Sequence, residues 1–90
     1  MGITMTELVV EHEWKNKNSD SVMKTVGDII GMQKSGSLPE GFNLKSVIVL
    51  NGENRAICNW EAPGLNALKE LLGKVNPPTK NRVFEISRAL

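Results

Sequence analysis

The stretch LKSVIVLNGENRAICNWE, residues 44–61, decides how this chain folds. Residues 44–50 are rich in β-branched side chains, which favour an extended strand. Asn51 and Gly52 follow directly, and an Asn-Gly pair between two apolar runs is the strongest short-range signal of a β-hairpin. The stretch therefore predicts a second strand that turns straight into a third strand over residues 55–61.

The sequence on either side of this hairpin predicts two helices and two further strands. Apolar and polar residues alternate over residues 6–14, which is typical of a half-buried first strand. Apolar residues recur at spacings of three and four over residues 19–33, and a cleaner leucine stripe with that spacing runs over residues 63–75. Both patterns predict helices, and residues 82–87 predict a short closing strand.

The order of these elements is β-α-β-β-α-β, which predicts an α+β, ferredoxin-like fold in a single domain over residues 1–90. We expect a four-stranded antiparallel sheet with both helices on one face and the first and third strands in the centre. On the other face we expect Val47, Val49 and Ile57 among charged residues. Such a face is too apolar to leave in water, which predicts that a partner covers it.

Composition argues against several classes of function. Eleven basic residues nearly balance ten acidic ones, so we expect binding to neither nucleic acid nor a membrane. The first six residues have no basic flank, long apolar run or cleavage site, which argues against a secretion signal. Cys58 is the only cysteine, so we expect no internal disulfide and no structural zinc site, and a free thiol fits a cytoplasmic location.

The sequence Glu11-His12-Glu13-Trp14 contains the only histidine and groups it with two carboxylates. Strand alternation divides this group, because His12 and Trp14 face one side of the strand while Glu11 and Glu13 face the other. The four side chains therefore cannot converge on one ion, and we expect neither a metal nor a cofactor. His12 is the candidate catalytic base, or a strand histidine satisfied by one hydrogen bond.

One antiparallel register between the first and third strands places His12 beside Cys58 and Trp14 beside Ala56. In this register four candidate ligand-binding residues line one patch: His12, Trp14, Cys58 and Trp60. Packing provides an alternative interpretation of the two tryptophans and of Cys58. The two tryptophans then belong to the core or to a dimer interface, and Cys58 is a small buried hydrophobe.

Three short motifs resemble the dimeric α/β-barrel superfamily and, within it, its short members of unestablished function. They are VVEH at residues 9–12 with Trp14 after it, LPEG at residues 38–41, and CNWEAP at residues 58–63. The resemblance implies a ferredoxin-like chain that pairs with a second copy, sheet against sheet. The superfamily includes cofactor-independent oxygenases, haem-degrading enzymes, lactone isomerases, stress-induced proteins and metal-binding members. A similar nickel-binding group has a histidine near the position of Val47, where this chain has none.

Three hypotheses of function remain open at this point. The first is a homodimer that binds a small apolar or aromatic molecule between its sheet and its helices. The second is a cofactor-independent monooxygenase or isomerase in which His12 is the base and Trp14, Trp60 or Asn59 positions the substrate. The third is a structural dimer that modulates a partner protein.

Overall fold

The chain forms one antiparallel sheet and two helices in a computed structural model that describes residues 5–87. In chain order the elements are β1 (Thr6–Glu13), α1 (Ser19–Ser35), β2 (Asn43–Leu50), β3 (Arg55–Ala62), α2 (Leu65–Val75) and β4 (Lys80–Glu85). A short 3₁₀ turn over Asn16–Asn18 leads into α1. Most of the segment in which we expected no secretion signal, residues 1–4, lies outside the described residues.

The sheet order is β2-β3-β1-β4, with every neighbouring pair antiparallel. This arrangement confirms the α+β, ferredoxin-like fold, and β1 and β3 lie in the centre as predicted. The hairpin between β2 and β3 is also confirmed, with Leu50 paired to Arg55 across a four-residue loop. In that loop Gly52 has a φ of 81° and Asn54 a φ of 51°, conformations that these two residue types accept most easily.

The core lies between one face of the sheet and the two helices. Leu8 and Val10 of β1 are fully buried there, and Leu68 is the fully buried residue of α2. Ile29 of α1 belongs to the same cluster, so both helices cover the same sheet face. The alternation in the first strand therefore predicts correctly which of its side chains face inward. We call this side the helix face and the opposite side the open face.

The prediction that Val47 and Val49 lie on the open face is wrong. A β-bulge between Leu44 and Ser46 adds one residue to β2, so Val47 is opposite Cys58 and Val49 is opposite Ala56 on the helix face. Because strand side chains alternate, one extra residue moves every later side chain to the other face. The bulge therefore turns Ile48, rather than its two neighbours, toward the open face.

The open face carries an apolar patch, which consists of Val9, Ile48, Ile57 and Phe84. Val9 pairs with Phe84 across β1 and β4, and Ile48 pairs with Ile57 across β2 and β3. Ile48 is 52% exposed and Phe84 is 38% exposed. Charged residues surround the patch, including the ion pair of Arg55 with Glu11 at 3.1 Å. The apolar character predicted for this face is thus present, although Ile57 is the only one of the three predicted residues that lies there.

The C-terminal end of α1 is tied to the edge strand β2. The side-chain oxygen of Gln33 accepts a hydrogen bond from the backbone N–H of Leu44 at 2.7 Å, and its NH₂ group donates to Asn43 at 2.8 Å. Only Val22 and Ile29 of the 17 residues of α1 are buried. The helix is therefore anchored at one end and lightly packed along its length. Within residues 5–87, neither helix is long and apolar enough to cross a lipid bilayer.

Candidate functional site

The predicted register between the first and third strands is wrong by two residues. His12 is opposite Ala56 rather than Cys58, and Cys58 is opposite Val10. Since a shift of two residues preserves the side on which each residue points, His12, Cys58 and Trp60 still share the helix face. The strand pattern thus predicts the face of each residue, but it does not fix the neighbour across the sheet.

A small apolar cavity lies between the helix face and α1. The sheet contributes His12, Val47, Ala56 and Cys58 to its wall, and α1 contributes Val22, Thr25, Val26 and Ile29. Pro77 and Thr79, from the loop between α2 and β4, close the remaining side. The space open to the centre of a water-sized sphere is about 20 Å³, enough for roughly one small group. The structure thus brings His12 and Cys58 together at one cavity.

A hydrogen bond to Asn81 fixes the tautomer of the His12 imidazole. Nδ1 of His12 lies 2.6 Å from Oδ1 of Asn81, which also accepts a hydrogen bond from the hydroxyl of Thr79. An amide oxygen only accepts hydrogen bonds, so Nδ1 of a neutral His12 must carry the proton. Nε2 is then the unprotonated nitrogen, and it forms no hydrogen bond with any residue in the range 5–87.

Burial lowers the pKa of His12 from its ordinary value of 6.5, and the hydrogen bond to Asn81 partly opposes this shift. His12 is only 7% exposed, so its charged form loses much of its hydration. The side chain is therefore neutral at physiological pH and has one free acceptor nitrogen. Chemically, Nε2 can accept a hydrogen bond from a ligand or take a proton from a substrate.

The pKa of Cys58 is shifted in the opposite direction to that of His12. Burial raises the pKa of its thiol to about 11 from an ordinary value of 9.0. Only the thiolate is an effective nucleophile, so the neutral thiol of Cys58 is unreactive at physiological pH. Among residues 5–87 no cationic group opposes this effect of burial. Cys58 therefore contributes a small apolar surface to the cavity.

Trp60 lies in the core instead of at the cavity. It is 1% exposed and packs edge-on against Phe42, with ring centroids 6.5 Å apart. Its indole N–H is buried and has no partner among residues 5–87. A ring of this size contributes strongly to stability through apolar burial alone. This placement supports the packing interpretation of Trp60.

Trp14 lies just beyond the end of β1 and borders a different space. Its backbone N–H donates to the carbonyl of Asn54, and its indole N–H donates to the hydroxyl of Ser19 at 3.2 Å. The side chain lines an open cleft beside the 3₁₀ turn and the loop before β4. The four predicted residues therefore divide among a cavity, the core and a cleft.

Sequence reasoning missed Asn81 and Thr79, which hold the imidazole of His12 in place. The predicted closing strand began at Arg82, whereas β4 begins at Lys80 and pairs Asn81 with His12. One signal was present: counting back in steps of two from Val83 places Asn81 on the same face. Because Asn81 is polar, the pattern of apolar residues on which strand prediction relies does not extend to it.

Among residues 5–87, no group of three or more histidine, cysteine or acidic residues is placed to hold a metal ion. No known protein family, curated protein or solved structure matches the chain. Any assignment of function therefore depends on the site itself, since the fold alone is compatible with many activities.

Proposed function

We propose that this protein is a small homodimeric binding protein that holds a small apolar or aromatic ligand in the cavity between the sheet and α1. One observation carries the proposal: the imidazole of His12, held by its bond to Asn81, lies in the wall of an otherwise apolar cavity. Ligand pockets typically combine an apolar lining with a few polar groups that fix orientation. A ligand with one hydrogen-bond donor next to an apolar group suits this combination.

The size of the cavity requires the wall to move before an aromatic ring can enter. A cavity that holds benzene is on the order of 150 Å³, whereas this cavity has about 20 Å³. α1 is the wall best suited to move, because few of its residues are buried and Gly27 and Gly31 reduce its helix propensity. Its anchor at Gln33 lies at the far end from Val22. We therefore expect the N-terminal half of α1 to shift outward when a ligand binds.

Phenol and toluene test this binding function by NMR. Titration of either compound should shift the methyl signals of Val22, Val26 and Val47, and the substitution Val26→Trp, which fills the cavity, should abolish those shifts. Met23→Trp is a matched control, because Met23 is 42% exposed on the same helix and does not line the cavity. Phenol should bind more tightly than toluene, since its hydroxyl can donate to Nε2 of His12. Unchanged methyl signals at millimolar concentrations of both compounds would contradict the proposal.

The apolar patch on the open face supports the homodimer. A second copy that packs there would bury Ile48 and Phe84, which are 52% and 38% exposed in the protomer. Four strands of about eight residues present roughly 500 Å² in projection, which approaches the area buried per partner in stable interfaces. Such sheet-to-sheet pairing is also what membership of the dimeric α/β-barrel superfamily implies, and we include that membership in the proposal.

The second candidate function is proton transfer by His12 in a cofactor-independent monooxygenase or isomerase. The bond from Nδ1 to Asn81 favours it, because a base held in one tautomer keeps Nε2 ready to accept a proton. A benzisoxazole that opens when a base removes its ring proton is a suitable probe. Its breakdown should be slower in His12→Ala than in the wild type, with folding intact in both. Equal rates would contradict a basic role for His12.

A further inference from the structure

The loop after α2 separates two spaces of different character. Pro77 and Thr79 line the apolar cavity, and the same two residues line the open cleft beside Trp14. Measured in the same way as the cavity, the cleft has a volume of about 640 Å³. The loop is thus the common wall of a narrow apolar space and a wide cleft lined by both polar and apolar groups. A ligand that crosses this wall would meet both environments.

The cleft concentrates positive charge. Lys15, Lys17 and Lys80 line it together with one acidic residue, Glu13. The whole chain has a formal net charge of only +1, so the cleft is more positive than the molecule to which it belongs. Within residues 5–87 none of the three lysines forms an ion pair, whereas Arg55 is paired with Glu11 elsewhere. Their ammonium groups are exposed and available to an anion.

The indole of Trp14 gives the cleft one flat apolar surface. Its N–H bond to the hydroxyl of Ser19 holds the ring beside the start of α1, the helix that forms one wall of the cavity. An aromatic or aliphatic segment that extends from the cavity can pack against this ring, since aromatic side chains bury large areas. The two spaces therefore suit a molecule that is apolar at one end and charged at the other.

We propose that the ligand of this protein is a small amphiphile with one anionic end, which lies among the three lysines while its apolar end occupies the cavity beside His12. The inference rests on the proposed binding function and names its ligand class. Each lysine is exposed, so each contributes modestly and is screened by salt. Three together favour an anion over a neutral molecule of the same shape.

Phenylacetate and phenylacetamide provide a matched pair of probes, because they share one shape and differ in charge. We expect phenylacetate to bind about tenfold more tightly at low ionic strength. This advantage should disappear at about 0.5 M salt, where screening is strong. The readouts are the dissociation constant and the methyl signals of Val26 and Val47, which report the cavity.

Two triple variants distinguish a local effect from a change in net charge. Lys15→Ala, Lys17→Ala and Lys80→Ala together should remove the preference for phenylacetate. Lys24→Ala, Lys34→Ala and Lys74→Ala remove the same charge from exposed positions outside the cleft, and the preference should remain. Thermal unfolding of both variants shows whether the fold is intact, and salt dependence in the wild type is a test that needs no variant.

The possible outcomes separate the two proposals. If both probes shift the cavity methyl signals with equal affinity, the anionic ligand class is wrong and the binding function stands. If phenylacetate shifts only signals of the cleft, the amphiphile is likewise wrong, because its apolar end does not reach the cavity. If neither probe shifts the cavity signals, the amphiphile is wrong, and the titrations with phenol and toluene decide separately whether the binding function stands.

Discussion

His12 derives its chemistry from two neighbours that are distant in sequence. The imidazole is buried, which favours its neutral form, and Asn81 determines which nitrogen carries the proton. Thr79 in turn bonds to the same oxygen of Asn81. A single histidine in an apolar wall thus becomes a defined acceptor, which is compatible with both proposed functions.

Substitutions of Asn81 should move the pKa of His12 in opposite directions. Asn81→Ala removes the hydrogen bond that opposes the effect of burial, so the pKa should fall further below 6.5. Asn81→Asp places a carboxylate beside Nδ1, which stabilises the charged imidazole and should raise the pKa. Titration of the ring proton signals of the only histidine measures both shifts. The same pKa in all three proteins would show that Asn81 does not contact His12 in solution.

The sequence predicts the orientation of His12 but not its partners. Alternation along a strand is a local property, so the pattern from Leu8 to His12 shows which side chains face the helices. The contact with Asn81 depends on where β4 begins, and pairing with β1 sets that position. Such pairing is a long-range property of the sheet. Periodicity in one segment therefore cannot reveal it.

At the scale of elements, the bulge in β2 has the largest effect on the site. It turns Val47 into the cavity wall and Ile48 toward the open face. The apolar run in this strand has no alternation that would reveal an extra residue, because Val47, Ile48 and Val49 are similarly hydrophobic. The elements and their order were therefore predictable from the sequence. The sheet face toward which each β2 side chain points was not.

Glutamate substitutions in β2 test which of its side chains point toward the helix face and which toward the open face. Val47→Glu should lower the free energy of unfolding by about 2 kcal/mol, because it places a charge against the apolar cavity. Ile48→Glu should change it by less than about 0.5 kcal/mol in dilute solution, since Ile48 is 52% exposed in the protomer. Denaturant unfolding at a concentration at which the wild type is monomeric gives both values, because dissociation of a dimer then does not contribute. A larger loss for Ile48→Glu than for Val47→Glu would show that β2 lacks the bulge.

At the scale of the whole molecule, the sheet has one covered face and one open face. α1 and α2 cover the helix face, and the cavity lies under the less tightly packed of the two helices. The open face carries its apolar patch away from the cavity, whereas Glu13 and Lys80 of the lysine cleft lie at one end of that face. A second copy can therefore pack on the patch without obstructing the cavity.

Charge placed in the apolar patch should separate the two copies. Ile48→Glu should convert a dimer into a monomer in sedimentation velocity at micromolar concentration, because the charge would be buried at the interface. Met23→Glu is the matched control: Met23 is 42% exposed on α1, away from the sheet, and this variant should remain dimeric. A wild-type protein that sediments as a monomer would rule out this dimer.

The nitrogen spectrum of His12 tests most directly the claim that a free Nε2 serves the cavity. Because the chain has one histidine, the two ring nitrogen signals belong to His12 without ambiguity. At pH 7 we predict a protonated Nδ1 and an unprotonated Nε2, and the Nε2 signal should move when phenol is added. A protonated Nε2, or a signal that phenol leaves unchanged while it shifts the valine methyl groups, would contradict this assignment.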